Sequence, residues 1–119
     1  MEGDKLLIID DDPRNIFALQ AVLKARGFPV VSASSAMEGI KILQEQSGFK
    51  VVLLDMMMPE MDGYEAIGEI KKLEHSSVIK IIAVTAQAMV GDREKCLAAG
   101  ADGYVSKPID VDVLLNLVQ

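Results

Sequence analysis

The sequence predicts a single α/β domain built on a doubly wound parallel sheet, and three observations carry that expectation. Short apolar runs alternate with longer amphipathic segments, five times over. The short runs are mostly continuous rather than alternating in polarity, as in strands covered on both faces. No linker, repeat or shift of composition divides the 119 residues, half of which are hydrophobic, so one core of ordinary size is expected over residues 3–119. Five strands are too few for an eight-stranded barrel, and right-handed crossovers leave few topologies. The order 2-1-3-4-5 is the expected one, with the first and third strands adjacent where the winding reverses.

Each element has its own warrant. Lys5–Ile9 (KLLII) reads as the first strand, and Asp12-Pro13 then opens a helix with an N-cap and a proline at the first helical position; Gly27 stops it. Pro29–Ala33 (PVVSA) is the second strand. Ser35-Ala-Met-Glu38 is a capping box for a helix that ends near Ser47-Gly48. Lys50–Leu54 (KVVLL) is the third strand, and Gly63–Glu74 carries Ile67, Ile70 and Leu73 at helical spacing. Val78–Val84 (VIKIIAV) is the fourth strand, followed by a helix over Gln87–Ala99 that Gly100 closes. Gly103–Ser106 (GYVS) and Ile109–Val118, with Val111, Leu114, Leu115 and Val118 on one face, complete the set.

Composition excludes several classes of function. Twelve basic against eighteen acidic side chains give a net charge of -6, and no Lys/Arg cluster offers nucleic acid an electrostatic footprint. No apolar run is long enough to span a bilayer, and the start MEGDKLLIIDDDP lacks the features of a signal peptide, so a soluble cytoplasmic protein with no membrane partner is expected. The lone Cys96, within DREKCLAAG, is expected to pack as a small apolar group, and His75 to be a solvated loop residue.

The residues that leave the strands are the informative ones. The first strand ends in Asp10-Asp11-Asp12, the third in Asp55, the fourth in Thr85-Ala86 and the fifth in Lys107-Pro108. In a doubly wound sheet these share one edge, and the 2-1-3-4-5 order sets Asp10 and Asp11 beside Asp55. Clustered carboxylates repel unless a cation or protons neutralise them. An open pocket of oxygen donors with no Cys/His cluster favours Mg²⁺ over zinc. Thr85 and Lys107 can then bind the oxygens of a phosphoryl group arriving at Asp55, which would be the nucleophile.

The motifs IIDDDP, LLDMMMPEMDG, VTA and SKP, in that order, make the chain resemble the receiver domains of bacterial two-component response regulators, with similarity over Lys5 to Val118. The resemblance implies a flavodoxin-like fold and assigns roles residue by residue. Asp55 resembles the phosphoacceptor, Asp11 the direct metal ligand and Asp10 its partner acting largely through water. Met57 resembles the position whose backbone carbonyl joins the metal shell, while Thr85 and Tyr104 resemble the switch pair and Lys107 the phosphate-contacting lysine. Lys107-Pro108 is similar to a bond that is cis in the family, and Pro59 and Gly63 match the positions after the acceptor. Met57 and Gln87 fall where family members tune phosphate lifetime. Met56 and Met58 are expected to pack. The partners implied are a histidine kinase or a histidine phosphotransfer domain, with a downstream output domain or effector reading the face of the fourth helix, fifth strand and fifth helix. The stretch TAQAMVGDREKCLAAGADGYVSKP resembles receivers of hybrid sensor kinases more than those fused to DNA-binding domains.

Rival readings are an enzyme, an electron carrier and an inert module. Asp10-x-Asp12 after an apolar strand resembles the nucleophile motif of haloacid-dehalogenase-type phosphatases, but Arg14 stands where that family has Thr or Val, and the loop after Asp55 is left without a use. A flavodoxin would place a Ser/Thr/Gly phosphate loop where the three aspartates stand, which would repel a flavin phosphate. A degenerate receiver acting only as a docking module would not keep every acceptor, metal and switch position filled.

Overall fold

Continuous apolar strands and capped helices assemble as the pattern requires. The computed structural model describes residues 5–46, 48–56, 63–73, 79–85, 91–106 and 109–118. In chain order they form β1 (Lys5–Ile9), α1 (Pro13–Ala25), β2 (Val30–Ala33), α2 (Ala36–Glu45), β3 (Phe49–Asp55), α3 (Gly63–Lys71), β4 (Lys80–Thr85), α4 (Asp92–Ala99), β5 (Gly103–Ser106) and α5 (Val111–Val118). The strands make one sheet in the order β2-β1-β3-β4-β5, every neighbouring pair parallel. This is the expected flavodoxin-like arrangement.

Strand alternation divides the core in two. Leu7, Ile9, Val52, Leu54, Ile81 and Ala83 point to one face, where α2, α3 and α4 cover them with residues such as Leu43, Ile67, Ile70 and Cys96. Leu6, Ile8, Val51, Leu53, Ile82 and Val84 point to the other, under Leu19 and Leu23 of α1 and Leu114 and Leu115 of α5. Full burial of each such side chain stabilises by about 1.5–3 kcal/mol, and that is what holds the ends of the strands in register. Cys96 is buried among these neighbours, as its apolar setting predicted.

Helix ends follow local chemistry. Asp12 caps α1 by accepting the Arg14 N–H at 3.0 Å. Gly27, at φ 88°, ends it with the paired bonds Gly27 N–H to Lys24 O and Phe28 N–H to Leu23 O. Ser35 Oγ accepts the Glu38 N–H at 3.1 Å, while Glu38 reaches back to the Ser34 N–H rather than to that of Ser35.

Several boundaries differ from expectation by one to a few residues, among them the start of β2, the end of β3, both ends of β4 and the end of α3; three others have an identifiable local cause. Phe49 joins β3 because the register shifts by one residue between Lys5 and Leu6, pairing Lys5 with Phe49 and Leu6 with Val51. The described part of α4 opens at Asp92 behind Gly91, a left-handed turn at φ 91°, rather than at Gln87. α5 starts two residues late because Asp110 caps it, accepting the N–H groups of Asp112 at 2.9 Å and Val113 at 3.3 Å. The positions expected to start α4, Gln87 to Val90, lie outside the described residues, as do Ser47, His75, Val78 and the side chains of Val111 and Val118.

The glycine at the start of α3 tests how closely that helix sits on the loop after β3. A Cβ on Gly63 would meet Met56 Sδ at 2.2 Å and Met56 Cα at 2.8 Å, and only the first of those atoms belongs to a flexible side-chain end. Gly63→Ala should therefore cost ~1–3 kcal/mol through overpacking. Gly68→Ala, on the same helix with nothing within 4 Å of the added carbon, should instead stabilise by ~0.5–1 kcal/mol through helix propensity. Urea midpoints at unchanged m-value measure both; equal behaviour of the two variants would contradict the packing.

Candidate functional site

The sheet register builds the site. Ile9 lies opposite Leu54, so Asp10 and Asp55 leave β1 and β3 side by side. Asp10 falls in the alternation of Leu6 and Ile8, and Asp55 in that of Val51 and Leu53, which sends both carboxylates to the α1/α5 side of the sheet. They are buried, with 2% and 3% of their surface exposed, whereas Asp11 is exposed. A carboxylate oxygen from each of Asp10, Asp11 and Asp55 lies within 4.8 Å of the other two. Burying two of three like charges is unfavourable without compensation.

Asp10 receives part of that compensation from its own loop. Its Oδ1 accepts the Asp12 N–H at 2.9 Å and its Oδ2 accepts a hydrogen bond from Asn15 Nδ2. Its backbone N–H donates to the Ala33 carbonyl at 3.1 Å, which anchors the end of β1 to β2. Asp12 stands outside the cluster. The Arg14 N–H, and secondarily the Arg14 guanidinium 3.6 Å away, hold its exposed carboxyl below the ordinary range. Asp12 is engaged as a helix cap and stands apart from the Asp10/Asp11/Asp55 cluster.

β4 and β5 supply the remaining described residues. Asp55 is registered with Val84, and the Met56 N–H continues that ladder to the Val84 carbonyl at 2.8 Å, so Thr85 ends β4 one step beyond the residue registered with Asp55. Thr85 is 4% exposed and falls in the alternation of Ile81 and Ala83, on the sheet face opposite Asp55. Tyr104 shares that face, half-buried against the α2/α3/α4 core, and is registered with Ala83 while Ser106 is registered with Thr85. Thr85 and Tyr104 are thus diagonal neighbours on one face of adjacent strands. Met56 packs in the core as expected. Met57, Met58, Pro59, Gln87, Lys107 and Pro108 lie outside the described residues.

The sequence reading missed Asn15. Its only sequence signal is an amide three residues past a helix cap, the position that usually reaches back to the cap itself. Here it reaches Asp10 instead.

Among the described residues, the cluster is made of carboxylate oxygens, with Asp10 and Asp55 buried and Asp11 exposed. That donor set suits a small hard cation and leaves its outer positions open.

A family model described as response regulator receiver domain matches residues 6–119. The chain is 37% identical over 114 residues to an uncharacterised 14.6 kDa protein of Leptolyngbya boryana, covering 96% of this chain and 86% of that one. It is 36% identical over 113 residues to the signal transduction histidine-protein kinase BarA of Escherichia coli, covering 95% of this chain but 12% of the kinase. The chain therefore spans only about an eighth of that kinase's length. Among solved structures, the receiver domain of sensor histidine kinase PA1611 from Pseudomonas aeruginosa, with a magnesium ion coordinated in its active site cleft, is 33% identical. It superposes with a TM-score of 0.87, covering 98% of this chain and 95% of that one.

Proposed function

The chain belongs to the response regulator receiver domain family, a signalling module of two-component systems, and from that premise we propose that Asp55 is its phosphoacceptor and that Asp10, Asp11 and Asp55 hold Mg²⁺. One observation carries the reading: three carboxylates from two adjacent strand ends, with ligand atoms within 4.8 Å of one another, at the edge where such sheets bind ligands. The oxygen-only donor set fits Mg²⁺, the ion found in the Pseudomonas receiver.

In this reading an Asp55 carboxylate oxygen attacks the phosphorus of a phosphohistidine or of a small donor such as acetyl phosphate. The new P–O bond makes an acyl phosphate. The P–N bond of the phosphohistidine breaks, and its electron pair returns to the imidazole. Burial holds the Asp55 carboxylate in a fixed place, so the reaction draws on positioning more than on covalent chemistry. Bound Mg²⁺ would supply positive charge to the phosphoryl oxygens. Lys107, from its place in the SKP motif, would supply a second positive charge, and Met57 its backbone carbonyl to the metal. Later attack by water on phosphorus returns Asp55 to its free form, so the chain assists its own phosphorylation and dephosphorylation.

The partners follow from the same chemistry: a histidine kinase or histidine phosphotransfer domain as donor, and an effector or output domain that reads the face of α4, β5 and α5. No helix among the described residues is long and apolar enough to cross a membrane, and a cytoplasmic location suits such partners.

Metal binding is the first test. Because the cation relieves carboxylate repulsion only in the folded state, Mg²⁺ at ten times its Kd should add about 1.4 kcal/mol and raise Tm by about 5 °C for a domain of this size. Melting with and without Mg²⁺ measures it. An equal rise for Asp11→Ala, or none for the wild type, would count against the metal site.

A further inference from the structure

Among the described residues, the Asp12 N–H and Asn15 Nδ2 each donate to one oxygen of Asp10, and these two donors differ in kind. The Asp12 N–H is backbone, fixed by the path of the chain into α1. Asn15 Nδ2 is a side-chain amide from the first turn of that helix. The helix does not need it there, since Asp12 already caps α1 through the Arg14 N–H and the Ile16 N–H closes on the Asp12 carbonyl at 3.1 Å.

A carboxylate turns easily about its last torsion, which is broad and two-fold. One donor on one oxygen leaves that rotation largely open, whereas a donor on each oxygen sets the plane. Both bonds are charge-assisted, and so stronger than neutral ones. The consequence falls on geometry at the cluster. Mg²⁺ demands a near-ideal octahedron and keeps its waters, so a ligand that meets it directly or through water must be oriented; Ca²⁺ accepts six to eight oxygens in flexible arrangements.

We propose that Asn15 is a positioning residue that fixes the plane of the Asp10 carboxylate and thereby makes the acidic cluster select Mg²⁺ over Ca²⁺. This rests on the assignment of Asp10, Asp11 and Asp55 as the metal site. Asn15 touches neither the phosphoryl group nor the reacting atoms; it acts through Asp10. Outer-shell partners of this type typically change metal affinity about 10–100-fold when removed.

Calorimetric titration of the whole chain with Mg²⁺ and separately with Ca²⁺ tests it, using wild type, Asn15→Ala, the shape-matched Asn15→Leu and Asp11→Ala, each also melted in EDTA. In both Asn15 variants Mg²⁺ affinity should fall about 10-fold while Ca²⁺ affinity changes far less, so the preference for Mg²⁺ collapses, with the EDTA melting temperature nearly unchanged. A preference equal to that of the wild type overturns the proposal. So does a parallel loss of both affinities together with a lower EDTA melting temperature, which would mark Asn15 as merely structural. If wild type binds no Mg²⁺, or Asp11→Ala binds it as well as wild type, the metal-site assignment itself fails and the role of Asn15 falls with it.

Discussion

Asp55→Asn should take up no phosphoryl group under conditions where the wild-type chain gains one. An amide has neither the charge nor the nucleophilic lone pair of a carboxylate, yet it has the same shape, so the buried position at the end of β3 can accept it without a cavity. Removing one of three clustered negative charges also relieves repulsion. The metal-free variant is therefore expected to be at least as stable as wild type, which separates lost chemistry from lost folding. Intact-mass measurement after treatment with acetyl phosphate and Mg²⁺ gives the result: one phosphoryl mass on wild type, none on Asp55→Asn, and none on wild type in EDTA. Equal labelling of the variant would move the acceptor elsewhere, and labelling that ignores EDTA would remove the cation from the mechanism.

The second large effect concerns transmission rather than chemistry. Thr85 and Tyr104 occupy the same sheet face on adjacent strands, and Thr85 is one residue past the position registered with Asp55. A phosphoryl group on Asp55 adds acceptor oxygens at the strand ends, and a hydroxyl drawn toward them leaves room into which the Tyr104 ring can turn. Ala at position 85 has nothing to be drawn. With Mg²⁺ and beryllofluoride, wild type should show NMR shift changes around Asp55, at Thr85, at Tyr104 and through α4. Thr85→Ala should keep those around Asp55 and lose those at Tyr104 and α4, because a ligand moves a two-state equilibrium only by its differential affinity for the two states. Changes at Tyr104 that survive in the variant would sink the coupling through Thr85.

Much of this was legible in the sequence, for identifiable reasons. A strand buried on both faces is a continuous apolar run, so KLLII matched β1 to the residue; GYVS, only partly buried at the sheet's edge, matched β5 between its turn residues. The cluster was legible because parallel strands must deliver their last residues to one edge, and Asp10, Asp11 and Asp55 are those residues. What escaped depends on three-dimensional register. Phe49 entered β3 through a one-residue shift against Lys5 that no local pattern encodes. Asp110 did carry a capping signal, but the apolar Ile109 masked it and moved the expected start of α5 too early. Asn15 was illegible because its partner is chosen by how the loop folds back over the end of β1 and not by spacing along a helix.

The partition of the core by strand alternation has a consequence for descent. By strand alternation Asp10 and Asp55 fall on the α1/α5 side and Thr85 and Tyr104 on the other, where Tyr104 packs against the α2/α3/α4 core, and the sheet lies between the two apolar clusters. Substitutions well separated in space and sharing no partners act almost independently. Substitutions on the α4 side, away from Thr85, are therefore expected to leave the geometry of the Asp10/Asp11/Asp55 cluster unchanged. A lineage built on this plan can vary one side of its sheet with little disturbance to the other, and the two sides meet at the short stretch where β3 and β4 end.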